Sequence, residues 1–226
     1  MERGKFIVIE GIDGSGKTTQ VKKIEKLLTH NDFHVHVTRE CTDNPIGKLL
    51  RNLYLPGKRK CDERVINMLY AADRLDHITN EEDGMLNILN EGIHVLSDRY
   101  YLSSLAYDTY QYIGTDKYQP ALLDIVYRNK VNMDLLRPDV TIYIDTPPKV
   151  ALDRIYAARE DSAVTVYENT EKLCKIHESY RYGIDYLINN GGENIKIVDG
   201  TLDPDVLFSH IKRIIESVLG VTIQEE

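Results

Sequence analysis

"GIDGSGKTT", residues 11–19, lies between a five-residue apolar run, "FIVIE" (6–10), and a segment with helical periodicity, 17–30. The eight residues Gly11, Ile12, Asp13, Gly14, Ser15, Gly16, Lys17 and Thr18 fit G-x-x-x-x-G-K-[ST], with Thr19 next to them in the expected nucleotide site, in the strand-then-helix context that gives this pattern its meaning. Glycines let the backbone turn its N–H groups inward around phosphate oxygens, and the helix N-terminus adds a positive dipole. Lys17 is expected to reach the β- and γ-phosphates of a nucleotide, and Thr18 to ligate Mg²⁺. Asp13 is the anomaly. A carboxylate about 4 Å from a phosphate charge costs roughly 4 kcal/mol at an effective dielectric near 20. Side chains at the variable positions face away from the cradle, so Asp13 can instead project in front of the loop, where an acceptor would sit and offer a hydroxyl.

Working outward, four more β-branched runs follow: "HVHVTR" (34–39), "IHVLSD" (93–98), "VTIYID" (140–145) and "IKIVD" (195–199). Helix-period segments separate them at 17–30, 46–54, 62–82, 103–112, 118–131, 148–158, 166–188 and 203–218. This alternation predicts an α/β fold with a parallel sheet and helices on both faces. Functional residues then belong beyond the carboxyl ends of the strands, where Glu10, Glu40, Asp98 and Asp145 fall. With no repeat and no linker long enough to split it, the chain reads as one domain over 1–226.

The formal net charge of −8 over 226 residues argues against a sequence-independent grip on nucleic acid, which needs a basic surface. Any anionic ligand therefore requires positive charge concentrated locally. Cys41, Cys61 and Cys174 are widely spaced, without a metal-ligand pattern, and suit free thiols in a reducing compartment. The first apolar run is too short for a signal peptide, and no stretch approaches a membrane span. A soluble cytoplasmic protein, with no membrane partner, is the expectation.

A regulatory GTPase would need N-K-x-D. The nearest match, "NKVN" (129–132), has Asn132 where the acid belongs and is expected at a solvated helix end, so an ATP-using transferase leads. In "HVLSDRYYLSSLAYD" (94–108), Asp98 ends a strand where a carboxylate can position Mg²⁺ or its waters. Arg99 adds a planar cationic fork suited to phosphate. Ser104 and Tyr107 share a helix face, as do Tyr70 and Arg74 in "LYAADRLDH" (69–77). The latter two can stack on a base and donate to its carbonyl oxygens; the plainer alternative is a surface cation–π pair.

These pieces, with "TRE" (38–40), "AADR" (71–74), "PDVTIYID" (138–145), "PPKVALDR" (147–154) and "YE" (167–168), are collinear over nearly the whole chain and resemble the thymidylate (dTMP) kinase family. The resemblance implies a P-loop kinase fold with a five-stranded parallel sheet, a short lid over about 154–168, a homodimer, and the reaction ATP plus dTMP giving ADP plus dTDP. It places Tyr70 on the thymine ring, Arg74 and Ser104 at the base edge and Tyr107 against C2′ of the sugar. Asp13 would accept from the 3′-hydroxyl, Glu40 would belong to the same acceptor site, and Arg99 and Arg51 would hold the dTMP phosphate. Three departures stand out. Cys41 replaces a usual proline after Arg39-Glu40; Gly14 occupies the position of a basic loop residue in one subtype; and Val166 replaces a common lid arginine. The catalytic cation beside Lys17 and Arg99 would then come from Arg154 or Arg159. A kinase for another nucleoside monophosphate or a deoxynucleoside, and a P-loop ATP-binding regulator, remain the alternatives.

Overall fold

A computed structural model describes residues 2–157 and 170–224. Five strands form one parallel sheet: β1 (Phe6–Glu10), β2 (Val35–Arg39), β3 (His94–Asp98), β4 (Val140–Asp145) and β5 (Ile195–Asp199), in the order β2-β3-β1-β4-β5. The runs read from sequence match these strands to within a residue. β1 is buried along its whole length, and this is why its sequence is apolar without a break from Phe6 to Ile9, before the buried Glu10 at its end. Successive side chains of a strand point to opposite faces, and β1 feeds two separate cores accordingly. Ile7 and Ile9 pack with Ile24 and Leu28 of α1 (Lys17–His30) and with Ile211 and Ile215 of α10 (Pro204–Leu219). Phe6 and Val8 pack on the other face with Tyr101 and Leu105 of α5 (Tyr101–Tyr107) and with Ile176 and Tyr180 of α9 (Thr170–Gly191).

The remaining described helices are α2 (Pro45–Leu49), α3 (Glu63–Thr79), α4 (Met85–Asn90), α6 (Tyr118–Arg128), α7 (Lys130–Leu135) and α8 (Pro148–Ala157). Three segments expected as single helices are subdivided. After α2 the chain widens into a π turn, Leu50–Tyr54; α5 is followed by a separate 3₁₀ turn, Tyr110–Tyr112; and 118–131 breaks at Asn129 into α6 and α7. The break at Asn129 has a cause in packing: its side chain is buried and accepts a hydrogen bond from Arg74. α4 was not expected from periodicity at all, being a six-residue helix whose buried Met85 and Leu89 are only one turn apart.

Strand order reverses at β1, whose neighbours β3 and β4 lie on opposite sides of it. Ligands of open α/β sheets bind at this kind of switch point, and the Gly11–Thr19 loop leaves β1 there. Gly16 caps α1 at φ 96°, and Gly14 has φ 79°. At Gly14 a Cβ would stand 2.3 Å from the Ala151 carbonyl oxygen of α8. A basic side chain is thereby excluded from this position by the helix that crosses it.

Gly14→Ala should therefore destabilise the fold by more than the 1–2 kcal/mol or so of a left-handed non-glycine residue. Gly57→Ala, at φ 69° with nothing within 4 Å of a Cβ, should cost no more than that conformational term. Urea unfolding of the two variants measures the difference; equal losses would mean that α8 yields to the added methyl.

Candidate active site

In the loop, Lys17 is buried and its Nζ donates to the Ile12 carbonyl at 2.9 Å, folding the side chain across the cradle. Burial, assisted by the nearby Arg99 cation, lowers its ammonium to about 8. Thr18 Oγ1 donates to Asp98 Oδ2 at 3.1 Å, which joins the start of α1 to the end of β3. The other carboxylate oxygen, Asp98 Oδ1, is buried without a hydrogen-bond partner.

Asp13 leaves the loop on the side away from the cradle, as its position in the motif requires. It accepts from Arg99 Nη2 at 2.5 Å and from the Tyr107 hydroxyl at 3.2 Å. Burial alone would raise the Asp13 carboxyl; Arg99, Lys17 and the Tyr107 hydroxyl together reverse this and hold it below its ordinary value. Arg99 also donates to Ser103 Oγ at 3.0 Å, and its guanidinium lies 5.1 Å from the centre of the Tyr107 ring. It is thus paired with Asp13 and not with its sequence neighbour Asp98. Glu10 anchors this corner from below: Oε1 accepts from the Tyr100 N–H at 2.8 Å and the Ser103 N–H at 3.1 Å, so the strand-end acid fixes the start of α5.

Asp13, Arg99 and Tyr107 form one wall of a cavity of about 520 Å³, a size that suits a small organic ligand. Arg39, Glu40, Cys41 and Arg51 line the wall contributed by β2 and α2 with the turn after it, while Tyr70 and Arg74 come from α3 and Ser104 from α5. The sequence-selected acceptor residues are therefore brought together in one hollow. Among the described residues five cations (Arg39, Arg51, Arg74, Arg99 and Lys172) and four acids (Asp13, Glu40, Glu63 and Asp108) line it, a local excess of cations in an acidic chain. Arg51 is oriented by Asp43, which accepts from Nη2 at 2.6 Å, and by the Cys41 carbonyl, which accepts from Nη1 at 2.5 Å. The Glu40–Cys41 peptide bond is cis.

At the deep end, Arg74 and Glu40 make a forked ion pair in which Nε lies 2.9 Å from both carboxylate oxygens, and both side chains are buried. Burial pushes the Glu40 carboxyl up, to about 7, against the downward pull of Arg74. Arg74 further donates to Asn129 Oδ1 and, at 3.3 Å, to Ser104 Oγ. Its guanidinium stacks on Tyr100, 5.4 Å from the ring centre, and Arg74 is buried, not at the surface. Nor is "NKVN" at a solvated helix end: Asn129 and Asn132 are both buried, and Asn132 donates to the Ala71 carbonyl at 3.1 Å. Asparagines survive here because α3 supplies a partner for each.

Arg39, Asn129, Ser103 and Asp108 were not singled out by sequence reasoning. Asp108 could have been: it lies four residues after Ser104, hence on the same side of the helix end, and it lines the cavity. Burial pushes its carboxyl up to about 7. Arg154 is in the last turn of α8; Arg159 and Val166 lie outside the described residues.

A phosphate loop at the switch point of a five-stranded parallel sheet, facing a cationic cavity across Asp13, defines a P-loop kinase architecture. The thymidylate kinase family model matches residues 9–211, and the chain belongs to that family. It is similar to the thymidylate kinase of Carboxydothermus hydrogenoformans, 35% identical over 221 residues that span 96% of this chain and all of the relative. It is also similar to a probable thymidylate kinase of Thermococcus kodakarensis (31% identical over 95% of this chain and 98% of the relative). A probable thymidylate kinase of Pyrococcus horikoshii is 40% identical over 68% of this chain and 70% of the relative.

The lowered Lys17 ammonium gives a test of the loop. Near pH 8 a fraction of the free protein has Lys17 neutral, and triphosphate oxygens placed against it restore the proton. Nucleoside triphosphate binding at pH 8 should therefore take up protons, seen by calorimetry in two buffers of different ionisation enthalpy. Lys17→Met should abolish the uptake; uptake that survives in the variant would place the titrating group elsewhere.

Proposed function

We propose that the protein transfers the γ-phosphoryl group of ATP to dTMP, giving ADP and dTDP. The single observation that carries this reading is the placement of Asp13 and Arg99: a carboxylate from the phosphate loop and a guanidinium from the end of β3 meet in a cavity lined by Tyr70, Arg74, Ser104 and Tyr107. Membership of the family supports it.

In this reading the loop backbone from Gly11 to Thr19 and Lys17 hold the β- and γ-phosphates of ATP. The donor set fits magnesium, which keeps most of its waters and needs few protein ligands: Thr18 Oγ1 is beside Asp98, and the unpaired Asp98 Oδ1 can accept from a metal-bound water. When bound, the ion supplies charge neutralisation on the triphosphate. Arg99 and Arg51 draw the dTMP phosphate toward the loop, and Asp13 accepts from the 3′-hydroxyl. The acceptor phosphate oxygen is already a nucleophile, so positioning and charge neutralisation suffice and no general base is assigned. Tyr70 stacks on the base and Tyr107 occupies the space of a ribose 2′-hydroxyl. Arg74, steadied by Glu40, donates to the base edge beside Ser104, and Asp108 accepts there. A donor next to an acceptor complements the carbonyl and N–H of thymine's imide edge, which cytosine reverses. Arg154, or Arg159 in the segment beyond it, would add charge to the moving phosphoryl group.

We further propose a homodimer and a cytoplasmic setting. Met68 is 63% exposed on the face of α3 turned away from the cavity, and Tyr127 of α6 and Val131 of α7 are 77% and 56% exposed beside it. α6 and α7 both pack on α3, and exposed apolar side chains on three packed helices are what an interface with a second copy would cover. No described helix is long and apolar enough to cross a membrane, and the three cysteines are free thiols.

Across dTMP, dUMP, dCMP, UMP and thymidine, kcat/KM should be highest for dTMP, measured by coupled ADP release. A higher value for dCMP or UMP overturns the acceptor assignment, and no turnover of any of them favours a regulator. Asp13→Asn should impair dTMP use at least tenfold while leaving ATP affinity within a few-fold; the opposite split would put Asp13 on the donor side.

A further inference from the structure

Tyr180 lies on α9, far in sequence from every motif above, and no role assigned so far uses it. Its hydroxyl is fully buried and meets four groups. It accepts from Arg99 Nη1 at 3.0 Å and donates to Glu10 Oε2 at 3.0 Å. It also shares a bond with Ser103 Oγ at 2.9 Å and stands 3.3 Å from the Gly11 carbonyl oxygen. A phenol offers one proton and lone pairs on the same atom, so this one oxygen ties the strand-end acid, the first residue of the phosphate loop and the arginine that faces the acceptor. Arg99 needs such a tether. Its backbone is left-handed at φ 80°; Asp13 and Tyr107 hold its Nη2 end, while Nη1 donates to the Tyr180 and Ser103 hydroxyls and, at 3.3 Å, to the Gly11 carbonyl.

We propose that the Tyr180 hydroxyl is a positioning group that fixes Arg99 relative to the phosphate loop and so sets the approach of the acceptor phosphate. The inference rests on Arg99 as the contact to that phosphate. Misplacing a reacting group by about 1 Å can cost on the order of a hundredfold in rate. Removing the Tyr180 hydroxyl takes away one of three Nη1 partners and loosens a second, Ser103 Oγ, which it also bonds, and so allows a shift of that kind. The Tyr180 ring is held independently of its hydroxyl: Tyr143 lies 5.0 Å away and Tyr107 meets it edge-on at 6.1 Å. Tyr180→Phe thus removes the oxygen and keeps the packing.

The test uses full-length protein and whichever nucleoside monophosphate the wild type phosphorylates best, so a wrong acceptor assignment shows in the wild-type panel and not here. Tyr180→Phe should lower kcat/KM for that acceptor at least tenfold, leave KM for ATP within twofold, and remain folded by circular dichroism. In an Arg99→Lys background the same substitution should cost less than threefold, because its effect passes through the arginine. Should Tyr180→Phe fail to fold, Ser103→Ala, which trims the neighbouring hydroxyl of the same cluster, is judged by the same criteria. Acceptor kcat/KM within twofold of wild type, an equal loss in both backgrounds, or a parallel rise in KM for ATP would each overturn the proposal.

Discussion

Guanidinium groups that are to meet a phosphate must sit in a partly dehydrated cleft before the phosphate arrives, and an unpaired buried charge costs several kcal/mol. The structure meets this constraint at the two arginines proposed to hold the acceptor phosphate, with Asp13 beside Arg99 and Asp43 beside Arg51, and does the same for Arg74, proposed at the base edge, with Glu40. The pairs differ in depth. Asp43 is exposed on the rim, where its ion pair with Arg51 is screened by water and contributes little to stability. Arg74 and Glu40 are sealed from solvent and act as a fixed joint between α3 and the end of β2. Arg99 and Asp13 lie between these extremes, held together yet open to the cavity.

The same pairing accounts for the titration behaviour of the cleft. Glu40 and Asp108 are raised because burial outweighs their cationic neighbours, whereas Asp13 is lowered because two cations and a phenol face it. Carboxylates that line one cavity are thereby shifted in opposite directions. For Asp108, a raised folded-state value means that its contribution to stability is complete below the ordinary carboxylate range and is lost as pH rises through about 7. The cavity is in that sense built at some expense of stability near neutrality, as binding clefts commonly are.

Support for the cleft comes from side chains that touch no ligand in this reading. Glu10 binds the first N–H groups of α5, and Asp73 receives both the Thr42 N–H and its hydroxyl, fixing the turn after β2. Asn129 and Asn132 join α7 to α3 in place of apolar contacts. These groups hold the elements of the cavity walls against one another through directional bonds.

Much of this was legible in the sequence. The loop pattern, its flanking strand and helix, and the five β-branched runs determine a parallel α/β sheet, since each signal is local and has a fixed period. The anomaly of Asp13 could be reasoned through as well, because a carboxylate cannot face a phosphate and the motif fixes which way the variable positions point. The tertiary structure alone decided the pairings. Arg99 bonds Asp13, 86 positions away, and not Asp98 beside it; Arg74 stacks on Tyr100, 26 positions away; and a tyrosine of α9 reaches the phosphate loop from 169 residues downstream. Ion pairs and buried hydroxyls have no sequence period: their partners are set by which strand ends the sheet order brings together, and that order exists only once β1 is enclosed between β3 and β4.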